Sequence, residues 1–247
     1  MKIIGVIPAR WASTRFEGKV LATINDKPMI QHVWERSNRS ELLNDLIIAC
    51  DDERVVVAAE QFGAKTVLTS KDHASGTDRI AEAIESMDGD IIVNVQGDEP
   101  LIDPAVIDAL VTALVDDPSC AMGTVIKVLT AKKELKDPNV VKVVIDGEGN
   151  ALYFSRSPIP YNRDDEDEVI YYKHLGIYAY RRDFLLSYKS LPKSNLEKCE
   201  QLEQLRALEF GYKIKTVVTD IETIGVDTPE DLTHVEKVLS KSVRTEP

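Results

Sequence analysis

Through the first half of the chain, short apolar, β-branched runs alternate with stretches of helical period, and this alternation constrains the fold more than any other feature. Strands joined through helices run parallel, because a helical crossover returns the chain to the same end of the sheet. Residues 2–7, 46–50, 66–68 and 90–95 read as strands. Between them, Pro28 stands where a first helical residue should be, ahead of Met29, Ile30, Val33 and Trp34 on one face. Residues 53–62 form a helix closed by Gly63, and Ile80, Ala83, Ile84 and Met87 mark the inward stripe of a third. Asp103-Pro104, a cap followed by proline, opens a fourth helix that buries Val106, Ile107, Leu110, Val111 and Leu114. Residues 91–93 are apolar without interruption, as a strand covered on both faces requires. The class is α/β, a mostly parallel sheet flanked by helices.

Beyond residue 120 the rhythm changes. Strands are predicted over 121–129, 139–145, 151–155 and 172–180, with Asp146-Gly147-Glu148-Gly149-Asn150 as the turn of an antiparallel hairpin. Helices near 181–190 and 195–210, a strand over 213–218 and a helix from Pro229 follow. The acidic run 164–168 reads as a solvated loop tip. Neither a repeat nor a low-complexity linker interrupts the chain. One domain over 1–247 is expected, with a β-rich lobe at about 138–190 grown from it.

Thirty Lys and Arg against 42 Asp and Glu give a net charge of −12. That balance excludes a nucleic-acid binder that works through a broad basic face. The three cysteines, Cys50, Cys120 and Cys199, are far apart and form no metal-ligand spacing, which suits a reducing cytoplasm. The apolar start is too short for a signal-peptide core, and no run approaches the roughly 20 residues that cross a bilayer, so membrane insertion is not expected.

Against this acidic background, Arg10, Arg15 and Lys19 crowd into the loop after the first strand. Parallel sheets bind ligands at such strand ends, and forked guanidinium donors with a mobile ammonium suit a polyphosphate. Ser13 and backbone N–H groups could complete the cradle. A phosphate-binding loop of the Walker type is excluded, since Ser13 stands at its first glycine position and Val20 follows Gly18-Lys19. Asp98, in Asn94-Val95-Gln96-Gly97-Asp98-Glu99-Pro100, ends the most apolar strand and could hold Mg²⁺ against phosphates or simply sit in a surface turn. Asp227, before Thr228-Pro229, reads on spacing alone as part of a helix cap. His174 and Tyr178 read as core residues, and Leu202, Leu205 and Leu208 as a buried helix stripe.

Taken in order, the loop 7–19, His73-x-Ser75-Gly76-Thr77-Asp78-Arg79, residues 94–100, Asp137-Pro138-Asn139-x-Val141-Lys142, Tyr153-Phe154-Ser155-Arg156, His174-Leu175-Gly176-Ile177-Tyr178, Leu202-Glu203-Gln204-Leu205-Arg206 and Gly225-Val226-Asp227-Thr228-Pro229-Glu230-Asp231 form a conjunction that closely resembles the 3-deoxy-manno-octulosonate cytidylyltransferases. The resemblance runs from Ile3 to about Leu239. It implies a Rossmann-like sheet of the nucleotide-diphospho-sugar transferase type and a homodimer built through the β-rich lobe. It also implies transfer of CMP from CTP to the eight-carbon sugar acid Kdo, with release of pyrophosphate, for lipopolysaccharide synthesis in the cytoplasm. By motif, Arg10, Ser13, Arg15 and Lys19 would hold the triphosphate with Pro8 and Ala9 nearby, and Ser75, Gly76 and Arg79 would complete the nucleotide pocket. Asp98 and Asp227 would bind Mg²⁺, which reverses the reading of Asp227 as a cap. Gln96, Arg156, His174, Tyr178, Glu203 and Gln204 would line the sugar-acid site, with Arg156 on the sugar carboxylate.

The family loop usually carries prolines where this chain has Glu17 and Val20, so a looser triphosphate grip is expected. Two rivals stay open at this level. One is a cytidylyltransferase for 8-amino-Kdo or another sugar acid; the other is a non-catalytic nucleotide-binding regulator.

Overall fold

The computed structural model describes residues 1–12, 16–73, 75–164, 166 and 168–242. The chain forms two compact units, one of residues 1–108 with 222–247 and the other of residues 109–221. The β-rich stretch expected at about 138–190 falls inside the second.

The first unit follows the alternation read from the sequence. Strand β1 (Ile3–Ala9) is followed by the short pair β2 (Thr23–Ile24) and β3 (Lys27–Pro28), and helix α1 (Met29–Ser37) leads to β4 (Asp45–Cys50). Helix α2 (Glu53–Gln61), β5 (Lys65–Leu68), α3 (Gly76–Ala83) and β6 (Ile91–Asn94) complete the repeat. The order β6-β1-β4-β5 is parallel throughout, with Val6 level with Ile47 on one side and Asn94 on the other. Helices α1 and α3 pack on β1, and α2 packs on β4 and β5. Ile4, Ile7, Ile30, Ile48, Ile80 and Ile92 are wholly buried between these layers. Pro28 stands one place before the helix, not within it. Its ladder to Thr23 holds ψ at 143°, and the helix begins at Met29, whose N–H donates to the Ala22 carbonyl. Asn25 and Asp26, both at positive φ, make the tight turn of that hairpin.

Helix α4 (Pro104–Asp116) carries the chain onward, its first turn capped by Asp103, which accepts from the Ala105 N–H at 2.9 Å. The second unit comprises β7 (Met122–Val128), the short α5 (Lys132–Leu135), β8 (Lys142–Ile145), β9 (Ala151–Ser155), β10 (Tyr172–Arg181), α6 (Arg182–Tyr188), α7 (Asn195–Glu200), α8 (Leu205–Glu209) and β11 (Ile214–Val218). Strand β7 is antiparallel to β10 and parallel to β11, while β8 forms antiparallel pairs with β9 and β10. Strand β8 starts three residues later than expected because Asp137-Pro138-Asn139 is a turn, in which Asp137 accepts from the Asn139 and Val140 N–H groups.

The helix expected over 195–210 is broken. Arg156 donates to the carbonyls of Glu200 and Gln201, which an unbroken helix would give to residues 204 and 205, and Gln201 turns to φ 53°. Asp165 and Asp167 of the acidic run lie outside the described residues. The last helix (Pro229–Ser242) belongs to the first unit, where Val226 and Val235 pack with Ile24 and Met29. Among the described residues, no helix is long and apolar enough to cross a membrane.

Candidate active site

At the carboxyl end of β1 the chain leaves the sheet at Ala9, and β6 continues alongside it through a bond from the Val95 N–H to the Val6 carbonyl. The turn that follows must pass very close to β1. A Cβ at residue 97 would stand 2.6 Å from the Pro8 carbonyl oxygen, a backbone atom that cannot step aside, so only glycine fits. The result is a cleft of about 350 Å³ whose walls include Pro8, Arg10, Lys19, Gly76, Gln96, Asp98 and Asp227. Gln96, expected to face the sugar, therefore shares a wall with the residues expected to hold the nucleotide. Ala9 is buried in the strand, Ser75 caps α3 by accepting from the Asp78 N–H at 3.1 Å, and Ser13 and Arg15 lie outside the described residues.

Lys19 is the centre of the cleft's polar side. Gly18, at φ 67°, packs against the Trp11 ring and sends its N–H to the Trp11 carbonyl, while Trp11 Nε1 donates to Glu17 at 3.2 Å. Arg54 lies over the same indole at 3.6 Å. Glu17, expected to loosen the loop, thus accepts a hydrogen bond from the Trp11 side chain. Held there, the Lys19 ammonium donates to Asp98 at 2.7 Å, to Asp227 at 2.9 Å and to the Val226 carbonyl at 3.1 Å, which uses its three protons. Burial disfavours that charge, but the two carboxylates outweigh it and hold the lysine pKa above its ordinary value.

Asp227 can face Lys19 because Thr228 does the capping. The Thr228 hydroxyl accepts from the Asp231 N–H, and the Asp231 carboxylate accepts from the N–H groups of Asp227 and Thr228. A bond from the Val226 N–H to the Asp98 carbonyl ties the two acidic turns together. Glu99, next in sequence, is buried, with Oε2 unpartnered among the described residues; burial and Asp98 push its carboxyl up to about 7.

Arg79 departs from expectation. It has no exposed surface, and its guanidinium donates to Asp51 at 2.8 Å and Thr69 at 2.5 Å. Asp51 in turn accepts from the Trp11 N–H at 2.9 Å. Arg79 therefore supports the first loop from beneath instead of lining the pocket. Neither Asp51 nor Trp11 stood out in the sequence, because an aspartate after a strand and a tryptophan in a loop carry no spacing signal.

The second unit gathers a separate cluster. His174 on β10 lies edge-on to Phe154 at 5.1 Å between ring centroids and tilted against Tyr178 at 5.4 Å. Its Nε2 is 3.0 Å from the Thr124 hydroxyl. Burial pushes its pKa down to about 3, so the imidazole is neutral. Burial also raises Tyr178 well above the phenol range, with smaller pushes from Tyr180 and the Glu203 carboxylate. Gln204 is buried at the start of α8, and its Nε2 has no hydrogen-bond partner among the described residues.

Arg156 is turned otherwise than expected. Its guanidinium donates to the carbonyls of Pro138, Glu200 and Gln201, and its own N–H goes to the Glu200 carboxylate at 2.9 Å, so it shapes the α7–α8 turn that presents Glu203 and Gln204. The expectation of a guanidinium turned to a sugar carboxylate gives way to this fork of carbonyl contacts.

The cytidylyltransferase family matches residues 4–215, and a 3-deoxy-manno-octulosonate cytidylyltransferase of Solibacter usitatus is 57% identical over 242 residues, 98% of this chain and 96% of the relative. The chain belongs to the 3-deoxy-manno-octulosonate cytidylyltransferase family. A cytidylyltransferase of the same name from Geotalea daltonii is 53% identical, with 98% of each chain covered. A solved structure of CMP:2-keto-3-deoxy-manno-octonic acid synthetase complexed with CTP is 44% identical, covers 98% of this chain and all of its own, and superposes with a TM-score of 0.94. The cleft described above lies where β1 and β6 end and brings Asp98 and Asp227 to Lys19.

Proposed function

We propose that this chain transfers CMP from CTP to the anomeric hydroxyl of Kdo, giving CMP-Kdo and pyrophosphate for lipopolysaccharide synthesis. The observation that carries the reading is the meeting of Lys19, Asp98 and Asp227 at one point of the cleft beside Arg10 and Gln96. The sugar oxygen forms a bond to the α-phosphorus, the bond from that phosphorus to the bridging oxygen of pyrophosphate breaks, and the hydroxyl proton leaves to solvent or a phosphate oxygen. Both substrates are anions, so the chain's own contribution is to orient them and offset their repulsion. Arg10 and Lys19 supply fixed positive charge on the triphosphate side. The Gln204 Nε2, buried without a partner among the described residues, suits a hydroxyl of the sugar, and neutral His174 with Tyr178 and Glu203 completes a polar wall for it.

Asp98 and Asp227 suit Mg²⁺. They converge on one cation, the Lys19 ammonium, within 2.9 Å, and a hard dication of this kind takes one or two carboxylates with waters and phosphate oxygens for the rest. Bound there, the ion supplies charge compensation for the triphosphate and the departing pyrophosphate. A cytoplasmic homodimer is part of the same reading, supported by Leu152, Tyr161 and Ile170, apolar side chains of the second unit that are 59%, 87% and 59% exposed.

Pyrophosphate release is measured across CTP, UTP, ATP and GTP, each with Kdo, 8-amino-Kdo and a sialic acid. The expected result is release with CTP and Kdo alone. Preference for another sugar acid would reassign the acceptor, and nucleotide binding without release under any pairing would sink the enzymatic reading.

A further inference from the structure

We infer that Thr124 is a positioning residue, which fixes His174 as the Nε2–H tautomer and so presents Nδ1 as a hydrogen-bond acceptor to a hydroxyl of the sugar acid. The substrate half of this inference rests on the function proposed above; the tautomer half does not.

The Thr124 hydroxyl has one proton to give. Three groups surround it: the Ile177 carbonyl at 2.8 Å, the Leu175 carbonyl at 3.3 Å and His174 Nε2 at 3.0 Å. If the proton went to the imidazole, two carbonyl oxygens would face the hydroxyl oxygen with no hydrogen between, one of them at 2.8 Å. If it goes to Ile177, the hydroxyl can only accept from His174, and Nε2 must carry the ring's proton. The backbone is built for the second arrangement. In the β7–β10 ladder Leu175 pairs with Val125 and Tyr178 with Thr124, so Gly176 and Ile177 form a bulge that brings both carbonyls to the one hydroxyl. Phe154 and Tyr178 fix the ring plane, and Nδ1 is left without a hydrogen-bond partner among the described residues. A neutral ring with its proton pinned at one edge offers a lone pair at the other, which a donor-rich polyhydroxylated ligand can use. Thr124 is 50 residues from His174 in the chain, so no local motif announces it.

The test is a long-range proton–nitrogen correlation spectrum of the full chain labelled with ¹⁵N-histidine, without substrate, with His174 assigned by its loss in His174→Gln. The expected wild-type pattern has the proton on Nε2. Thr124→Val should give a mixture of tautomers and raise KM for Kdo about tenfold, with KM for CTP changed less than about twofold; Thr124→Ser should restore both. A wild-type proton on Nδ1, or a Thr124→Val protein unchanged in tautomer and in the two KM values, would overturn the inference. If Thr124→Val does not fold, the wild-type and Thr124→Ser spectra decide. Should the tautomer be as expected while CTP and Kdo yield no pyrophosphate, the functional reading fails and the substrate half falls with it, and the role of Thr124 in setting the ring stands.

Discussion

An ammonium with three acceptors inside 3.1 Å cannot also grip a phosphate without giving one of them up, and this exchange makes Lys19 the most informative single residue. Replacing it with alanine should raise KM for CTP at least about tenfold while KM for Kdo changes much less, since the proposed function puts the side chain against the triphosphate. Steady-state kinetics with each substrate varied in turn checks the split, and an equal rise for both substrates would contradict the assignment. Lys19 and Asp98 were legible because strand-end position and local charge reversal are both visible in a sequence. Asp227 was not legible on those grounds. Its competing role as a helix cap disappears only when Thr228 and Asp231 are seen to share the capping between them. Arg79 and Arg156 mark the limit of such reading from the other side: a cation in a motif shows what it can bind, not which way it points, and both turn to partners inside the protein.

Strands β1, β4 and β6 were legible to within a few residues because burial on both faces leaves a near-continuous apolar run, whereas the two-residue strands β2 and β3 carry no such run. The break between α7 and α8 was not, since the leucine stripe continues across it and the cause is a guanidinium from β9's end, some 45 residues earlier. The last helix shows how an element's end can serve a site. Thr228→Ala removes the hydroxyl that caps its first turn and should cost about 1 kcal/mol of stability, read as a lowered midpoint in urea. It also removes the hydroxyl's bond to the Asp231 carboxylate, which leaves that group held only by the Asp227 and Thr228 N–H groups and loosens the turn that aims Asp227, so turnover should fall with it. Loss of stability with unchanged turnover would separate the cap from the positioning of Asp227.

Taken whole, the chain carries its excess of 12 negative charges while handling two anionic substrates, and it does so by concentrating cations in one loop. Diffuse surface charge favours solubility over association. Self-association therefore needs an apolar patch, and Leu152 and Ile170 supply exposed candidates in the second unit. Sedimentation should show a dimer, converted to a monomer by Leu152→Glu combined with Ile170→Glu; a monomeric wild-type chain at micromolar concentration would remove the dimer from the proposal. The mixed, antiparallel character of this unit was legible from its turn residues, but the extent of the unit was not, because the fourth helix crosses from one to the other without a break in its apolar stripe. The order in which the units are encoded has a consequence for biosynthesis. Residues 109–221 are contiguous, whereas the first unit is assembled from residues on both sides of them. Translation delivers Lys19 and Asp98 before the second unit and Asp227 only after it, so the charge cluster cannot close until all of residues 109–221 have been made.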